Sequence, residues 1–418
     1  MEQVFHNVKV VDPRTLSFTM NPTRVSYANT IRRAIQTEVQ ILGFRGCMTD
    51  TGTTGDVKII KNSTPMSNEM LADRIGLLPI VMPDQSGWDR DKILFRLNVK
   101  NDTDEVRIVT ASDFECLESR PDSEERVRIP NTQFFHPHPI TGSTCIIAVL
   151  KPMTEGQAAE EIQCEAWATL GKGREHARFN PTSQCSYAYT RDDTPARIME
   201  LWQKWLKEQK KVDPGEIEKE PERKAALERE FRSLEIYRCY KIDEEGEPFS
   251  YDFTVETVGT MAVDKIILQS LNAVAALCDR YASIDRGDLP TNLKVRPADA
   301  RMKGFDFLFK GEDHTLGNLL QTWLDDHHVG NGQITFAGYK VPHPLQDEML
   351  LRIGVEDGKE AGARLALAEA AKGCSDMFRD FASQWLVNVS ANANVSANAN
   401  ENANAKPVWQ SHANAKKK

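Results

Sequence analysis

Asp313, His314 and Thr315 stand side by side, a carboxylate, an imidazole and a hydroxyl of the kind from which acid-base sites are built. No nucleophile is spaced to join them, so the plainer reading is preferred: they end a strand and cap a helix over 316–328. His136 and His138, in a His-Pro-His-Pro run, offer two imidazoles to a metal. A third ligand at a recognisable spacing is missing, which favours a polar loop. His327-His328 falls where that helix closes, and a partly charged imidazole suits the negative end of a helix dipole. The eight cysteines, Cys47, Cys116, Cys145, Cys164, Cys185, Cys239, Cys278 and Cys374, are scattered with no C-x-x-C. That spacing argues against a zinc ribbon or a disulfide framework and for reduced, mostly buried thiols in an intracellular compartment. Asn62, Asn388 and Asn394 begin N-x-S/T sequons that are accidental on this reading. No metal, no cofactor and no catalytic residue is expected.

The elements that must position any such groups fit a chain of 418 residues, long enough for two or three domains. With 40% hydrophobic and 27% charged residues the composition is that of a folded globular chain. No apolar run approaches the length of a membrane span, and the first residues lack a signal peptide's apolar core, so a soluble protein that is not secreted is expected. Lys and Arg number 52 against 61 Asp and Glu, a net charge of -9. That is the wrong sign for a surface that binds nucleic acid broadly, so contact with DNA or RNA should be indirect.

Leu16, Phe18 and Met20 alternate with polar residues and predict a strand. A helix should follow, with Asn21 as cap, Pro22 in its first turn, and Val25, Ala28, Ile31, Ile35 and Val39 along one face. Residues 47–190 read as an inserted, mainly β domain. Residues 191–233 form a charged helical excursion of two exposed helices. Nine basic and eight acidic side chains between 204 and 232 make it a solvated face rather than a nucleic-acid patch. Tyr251, Phe253 and Val255 predict a strand, and a long helix carrying Ile266, Leu271, Val274 and Leu277 follows it. Residues 285–303, with their glycine and prolines, read as a linker. Phe305, Phe307 and Phe309 then predict a strand, and Leu316, Leu319, Leu320, Trp323 and Leu324 an amphipathic helix. Two further strands lead to a last helix bearing Leu365, Ala368, Phe378, Phe381 and Trp385 on one side. From 389 to 418 the VSANAN repeat and the lysine end read as a disordered tail.

A shift of 289 residues superposes the two strand-helix units. Leu16, Phe18 and Met20 fall on Phe305, Phe307 and Phe309; Tyr27, Asn29, Ile31 and Ile35 fall on Leu316, Asn318, Leu320 and Leu324. Each unit presents an apolar helix face that has to be buried. The expected fold class is therefore α+β, with modules at 1–46 plus 234–284 and at 304–388 paired about a pseudo-two-fold axis as in a homodimer. Val25, Ile31, Ile35, Leu271, Val274, Leu316, Leu319, Leu320, Trp323 and Leu324 are the expected interface.

Several segments resemble the alpha-like assembly subunits of multisubunit RNA polymerases: bacterial alpha, the archaeal D and L subunits, and the third-largest and eleventh subunits of eukaryotic RNA polymerase II. Asn62 to Pro79, reading NSTPMSNEMLADRIGLLP, is similar to the D-type signature, with Asn68 in place of the usual Asp and Asp73 in place of the usual His. Val25 to Glu38 resembles the first dimerisation helix, His176 to Pro181 (HARFNP) the segment before the next strand, and Phe253 to Gly259 the strand before the second helix. Glu312 to Leu320 (EDHTLGNLL) and Phe336 to Leu345 (FAGYKVPHPL) resemble the L type.

The resemblance implies a fused D-plus-L chain, as in some large DNA viruses, that nucleates the two largest polymerase subunits. It implies small subunits of the tenth and twelfth type as further partners, no homo-oligomer, no membrane, and a place in host cytoplasm or nucleus and in the virion if viral. It places large-subunit contacts at Arg32, Arg33, Glu69 and Arg74, and family positions at Asn29, Gly76, His176, Phe179, His314, Gly317, Asn318 and His343. No D-x-D-x-D run or P-loop occurs here, so the phosphoryl-transfer chemistry of such enzymes would lie in other chains. The alternative is a free-standing adaptor or transcription regulator of the same fold.

Overall fold

The computed structural model describes residues 2–46, 55–81, 87–120, 123–138, 140–299 and 302–404. Strands β1 (Phe5–Asp12) and β2 (Thr15–Met20) form an antiparallel hairpin. Leu16, Phe18 and Met20 all point to the core, as a period of two requires. Helix α1 (Val25–Thr37) follows. It begins three residues after the expected Pro22, preceded by Arg24 in extended backbone, with no side-chain cap.

The middle of the chain contains β3 (Gln40–Gly43), β4 (Val57–Asn62), α2 (Asn68–Gly76), β5 (Ile93–Asn101), β6 (Arg107–Thr110), β7 (Phe114–Arg120), β8 (Ser123–Ile129), β9 (Ile146–Leu150), β10 (Glu160–Ala166) and β11 (Thr169–Lys172). A five-stranded sheet runs β4-β10-β5-β7-β8, with β6-β9 and β3-β11 as two-stranded companions. Its core is a separate cluster in which Phe44, Phe95, Phe114, Phe134 and Phe135 meet edge-on or stacked. Edge-to-face rings suit the aromatic quadrupole.

Strand β12 (Thr182–Tyr189) corrects the boundary expected at 190, because it pairs along its length with β13 (Tyr251–Thr257) in the first sheet. Between them lie α3 (Pro195–Trp205), the short α4 (Pro214–Ile217) and α5 (Pro221–Ser233). These are more than solvated helices. Trp202, Trp205, Leu206, Ile217 and Phe231 pack into a small core of their own, which the surrounding charge run hides in the sequence.

Helix α6 (Val263–Asp279) completes the first unit. The expected linker at 285–303 contains β14 (Leu293–Pro297), an edge strand of the second sheet that pairs with β15 (Gly304–Lys310). Pro297 is tolerated because an edge strand has one unpaired side. Then come α7 (His314–Leu324), β16 (Phe336–Lys340), β17 (Glu348–Gly354) and α8 (Glu360–Asn404). Leu365 lies off the buried face of α8 at 40% exposed, and Leu367 takes the core position. The helix enters the stretch expected to be disordered. Packing of its first turns meets the nucleation cost, and alanine propagates a helix well. Residues 405–418 of the expected tail lie outside the described residues.

The first sheet has the order β1-β2-β13-β12 and the second β14-β15-β17-β16. Each arises from the same succession of hairpin, helix, two strands and helix. Strands β2 and β15, and helices α1 and α7, begin at the 289-residue offset seen in the sequence. One continuous apolar cluster joins both sheets through α1, α6, α7 and α8. Within it α1 packs on α7 and α6 on α8, so each helix meets its counterpart.

Candidate assembly interface

Ile31, Ile35, Leu271, Val274, Leu316, Leu319, Leu320 and Leu324 are all fully buried in the cluster shared by the two sheets. Trp323 is half-buried; its indole occupies the space that a Cβ on Gly373 of α8 would need, and His327 stacks on it at 4.1 Å. Val25 is a correction: it opens α1 at 39% exposed, on the side of the first turn away from its buried neighbours Ser26, Tyr27 and Ala28.

Polar contacts bind the same faces. Ser26 Oγ on α1 receives hydrogen bonds from Asn318 Nδ2 at 3.2 Å and Thr322 Oγ1 at 2.8 Å on α7. Asn318, expected as a family position, thereby faces α1. Its counterpart Asn29 accepts from Arg32 Nε on its own helix at 3.0 Å. Arg32 also donates to Gln36 and stays on α1. Arg33, expected to face a large subunit, instead reaches inside the chain: Nε to Thr315 Oγ1 at 2.7 Å and an Nη to Asp313 at 2.9 Å. The reason is helical geometry, since neighbouring positions on α1 differ by about 100° in direction.

Asp313 caps α7 by accepting from the Thr315 amide. Burial pushes its carboxyl up, but the bonds from Thr315 and the charges of Arg174 and Arg33 outweigh that and hold it below the ordinary value. Arg174 also pairs with Glu38 at the end of α1 and donates to the Gly311 carbonyl. Glu312 is buried; burial raises its carboxyl pKa against the opposing charges of Arg280 and Arg174, and Tyr281 and Arg280 hydrogen-bond it. Arg174, Glu38, Ser26 and Arg280 carry no sequence signal for these roles, because their partners lie far along the chain.

Gly317 is explained by close approach: a Cβ would overlap the edge of the Tyr339 ring at Cδ2 and lie 2.9 Å from Cε2 and Cγ. His314 Nδ1 is 3.3 Å from the same tyrosine's hydroxyl. No acid-base pair forms with Asp313, whose oxygens are taken by Thr315, Arg33 and Arg174. His343 closes a turn by accepting from the Leu345 amide.

In the middle domain, Glu69 is exposed on the first turn of α2, and hydrogen bonds from its own backbone and Ser67 lower its carboxyl pKa. Arg74 donates to the carbonyls of Ile147 at 2.7 Å and Ile146 at 3.2 Å on β9. Gly76 leaves room for the Arg178 guanidinium, which a Cβ would strike. That guanidinium, almost fully buried, bonds the Phe44 carbonyl, His176 Nδ1 and Asp73. Asp73 therefore has a partner suited to its charge. Phe179 is fully buried against Gly43 and Gly171, with Arg45 over its ring at 5.0 Å. Burial pushes the thiols of Cys116, Cys164 and Cys185 up to about 12. His138 accepts from the amides of Ile140 and Thr141 in a turn. Among the described residues no group of three or more His, Cys, Asp or Glu side chains could hold a metal, and no helix is long and apolar enough to cross a membrane. Cys47 lies outside the described residues.

Residues 305–384, from β15 to the buried part of α8, match the model of the RNA polymerase Rpb3/Rpb11 dimerisation domain. The chain is similar to an alpha-like RNA polymerase subunit. It is 25% identical to DNA-directed RNA polymerase subunit Rpo3 of Methanopyrus kandleri over 287 residues, 64% of this chain and 90% of the relative. Rpo3 of Pyrococcus furiosus is 26% identical over 274 residues, 64% of this chain and 92% of the relative. Subunit RPAC1 of RNA polymerases I and III of Saccharomyces cerevisiae is 26% identical over 202 residues, 43% of this chain and 55% of the relative. These similarities support a role inside a multisubunit DNA-directed RNA polymerase.

Proposed function

We propose that this chain is the non-catalytic assembly platform of a DNA-directed RNA polymerase, with both halves of the alpha-like heterodimer fused in one polypeptide. The carrying observation is that two units of the same topology, the second of which matches the dimerisation-domain model, pack helix against counterpart helix in one core. Fusion holds the halves at a high effective concentration and enforces one-to-one pairing. The composite surface nucleates the two largest subunits, which supply the active site and contact DNA and RNA; small subunits of the tenth and twelfth type join them. Arg32 and Glu69, whose side-chain hydrogen bonds among the described residues stay within their own helix or its cap, face the large subunits, with Arg74 alongside. The chain works inside the cell, in the arrangement found in some large DNA viruses, without forming a homo-oligomer.

Native mass spectrometry of complexes captured on the tagged chain tests this. One copy with one each of two much larger chains is the expected result. A homo-oligomer, or a lone monomer at low salt, overturns it and favours the adaptor. Arg32→Glu should leave the subunit folded and weaken large-subunit capture; unchanged capture removes Arg32 from that contact.

A further inference from the structure

Arg32 and Glu69 stand on helices that belong to different cores. Helix α1 buries Ile31 and Ile35 in the cluster shared by the two sheets, and α2 buries Leu71, Ala72 and Ile75 in that of the middle domain. The ribbon of β3 and β11 passes between them: Ile41 of β3 sits in the first cluster and Leu42 in the second. A ribbon of two strands twists strongly and is marginal by itself, so it does not fix the angle between the cores it joins. A second connection is needed to brace it.

That connection is the segment that ends β11. The amides of Glu175 and His176 turn back to the Lys172 carbonyl, at 2.9 and 3.4 Å, so the chain folds tightly here. Its first half lies on the C-terminus of α1. The Arg174 amide donates to the Thr37 carbonyl at 3.1 Å, satisfying one of the acceptors that a helix end leaves open. Gly173 approaches so closely that a Cβ would strike the Gln36 carbonyl oxygen. Lys172 and Arg174 both pair with Glu38, at 3.2 and 2.7 Å, where the helix dipole favours cations. The Arg174 guanidinium reaches further, donating to the Gly311 carbonyl at 3.1 Å and standing 3.6 Å from Asp313, the cap of α7. It therefore engages the ends of both paired helices. The second half of the segment holds the middle domain. Glu175 accepts from Arg45 at 2.8 Å, and Arg45 also donates to the Leu170 carbonyl. Arg178, with only 2% of its side chain exposed, donates to the Phe44 carbonyl and to Asp73 of α2, both at 3.0 Å.

We propose that Lys172 to Arg178 is a strut that fixes α2 against α1, with Arg174 as the positioning residue at its helix end. The strut sets the spacing of Arg32 from Glu69, so that a partner meets both as one surface. That the two serve one partner rests on the polymerase reading; the strut itself does not, and it is tested on the isolated full chain.

Spin labels on Val25→Cys of α1 and Met70→Cys of α2, both exposed positions, read the spacing by double electron–electron resonance, with Cys47→Ser and Cys145→Ser in the same chain. The other cysteines are buried and stay unlabelled. With Arg174 in place the chain should give one narrow distance. Arg174→Ala should lose it to a broad distribution. Arg174→Lys, which keeps a charge for Glu38 but not the fork, should recover part of the narrow population. Glu38→Gln, which removes the carboxylate shared by Lys172 and Arg174, should broaden the distance too, and it serves if Arg174→Ala fails to fold. Phe231→Leu weakens a core that the strut does not touch and should leave the distance narrow. An unbroadened distance in Arg174→Ala and Glu38→Gln overturns the proposal. So does equal broadening in Phe231→Leu, which would make the effect one of stability alone.

Discussion

Arg33 Nε donates to the Thr315 hydroxyl at 2.7 Å, joining residues 282 positions apart in the chain. The same guanidinium reaches Asp313, so the N-terminus of α7 is held by a charge carried on α1. Arg33→Ala should destabilise the chain by about 1–2 kcal/mol, a charged hydrogen bond discounted for partial exposure. In chemical denaturation, a double-mutant cycle with Thr315→Val should give a coupling of about 0.5–1.5 kcal/mol. A coupling of zero would mean that the bond contributes nothing to holding the halves together.

Gly317 and Tyr339 define a second close approach between α7 and its sheet. In an open helix Gly→Ala stabilises by about 1 kcal/mol. Here the added methyl meets the tyrosine ring, and Gly317→Ala should instead cost about 1–3 kcal/mol, as overpacking does. Adding Tyr339→Ala should recover part of that loss, so the two changes together cost less than their sum. A stabilised Gly317→Ala chain in a thermal melt contradicts this.

The repeat at 289 residues was legible because core-facing residues recur at strand and helix periods, and the same periods set the two four-stranded sheets and the four helices between them. The small core of the excursion was not legible. Trp202, Trp205 and Phe231 are three apolar residues in a run dominated by Lys, Arg and Glu, and a charge count averages them away. Strand β14 was missed because Pro290 before it and Pro297 at its end signal a break, whereas the paired face of an edge strand depends on its neighbour β15. The role of Arg33 could not be read locally either: Arg32 and Arg33 look alike in sequence, and only the direction of α7 separates them.

Asp313 gives the interface a pH dependence. Its carboxyl is held below the ordinary value of 3.8 in the folded chain, so the folded state favours the carboxylate. The resulting stability is present above the unfolded value and is lost as pH falls through the folded one. Asp313→Asn keeps a helix cap but removes the charge. The stability difference between the two chains, measured by urea denaturation, should be constant near neutral pH and shrink below about pH 4. A difference that grows on acidification would show that Asp313 is not held as a carboxylate. Glu312, whose raised carboxyl pKa makes the opposite contribution, is present in both chains and cancels to first order.

Leu320 is fully buried where α7 meets the shared cluster, at the position equivalent to Ile31 of α1. Leu320→Ala leaves a cavity and should cost about 2–5 kcal/mol. Leu320→Asp adds a carboxylate with no cation on this face of the helix to receive it, and the further penalty is several kcal/mol. The two variants separate packing from charge. If the two units depend on each other for their core, Leu320→Asp should lower the melting temperature of the first sheet as well as the second. Hydrogen exchange reads this directly, because amides of β2 and β13 should lose protection together with those of β15 and β17. Loss confined to β15 and β17 would mean that the first unit stands on its own, and a normally melting Leu320→Asp chain would sink the shared-core account altogether.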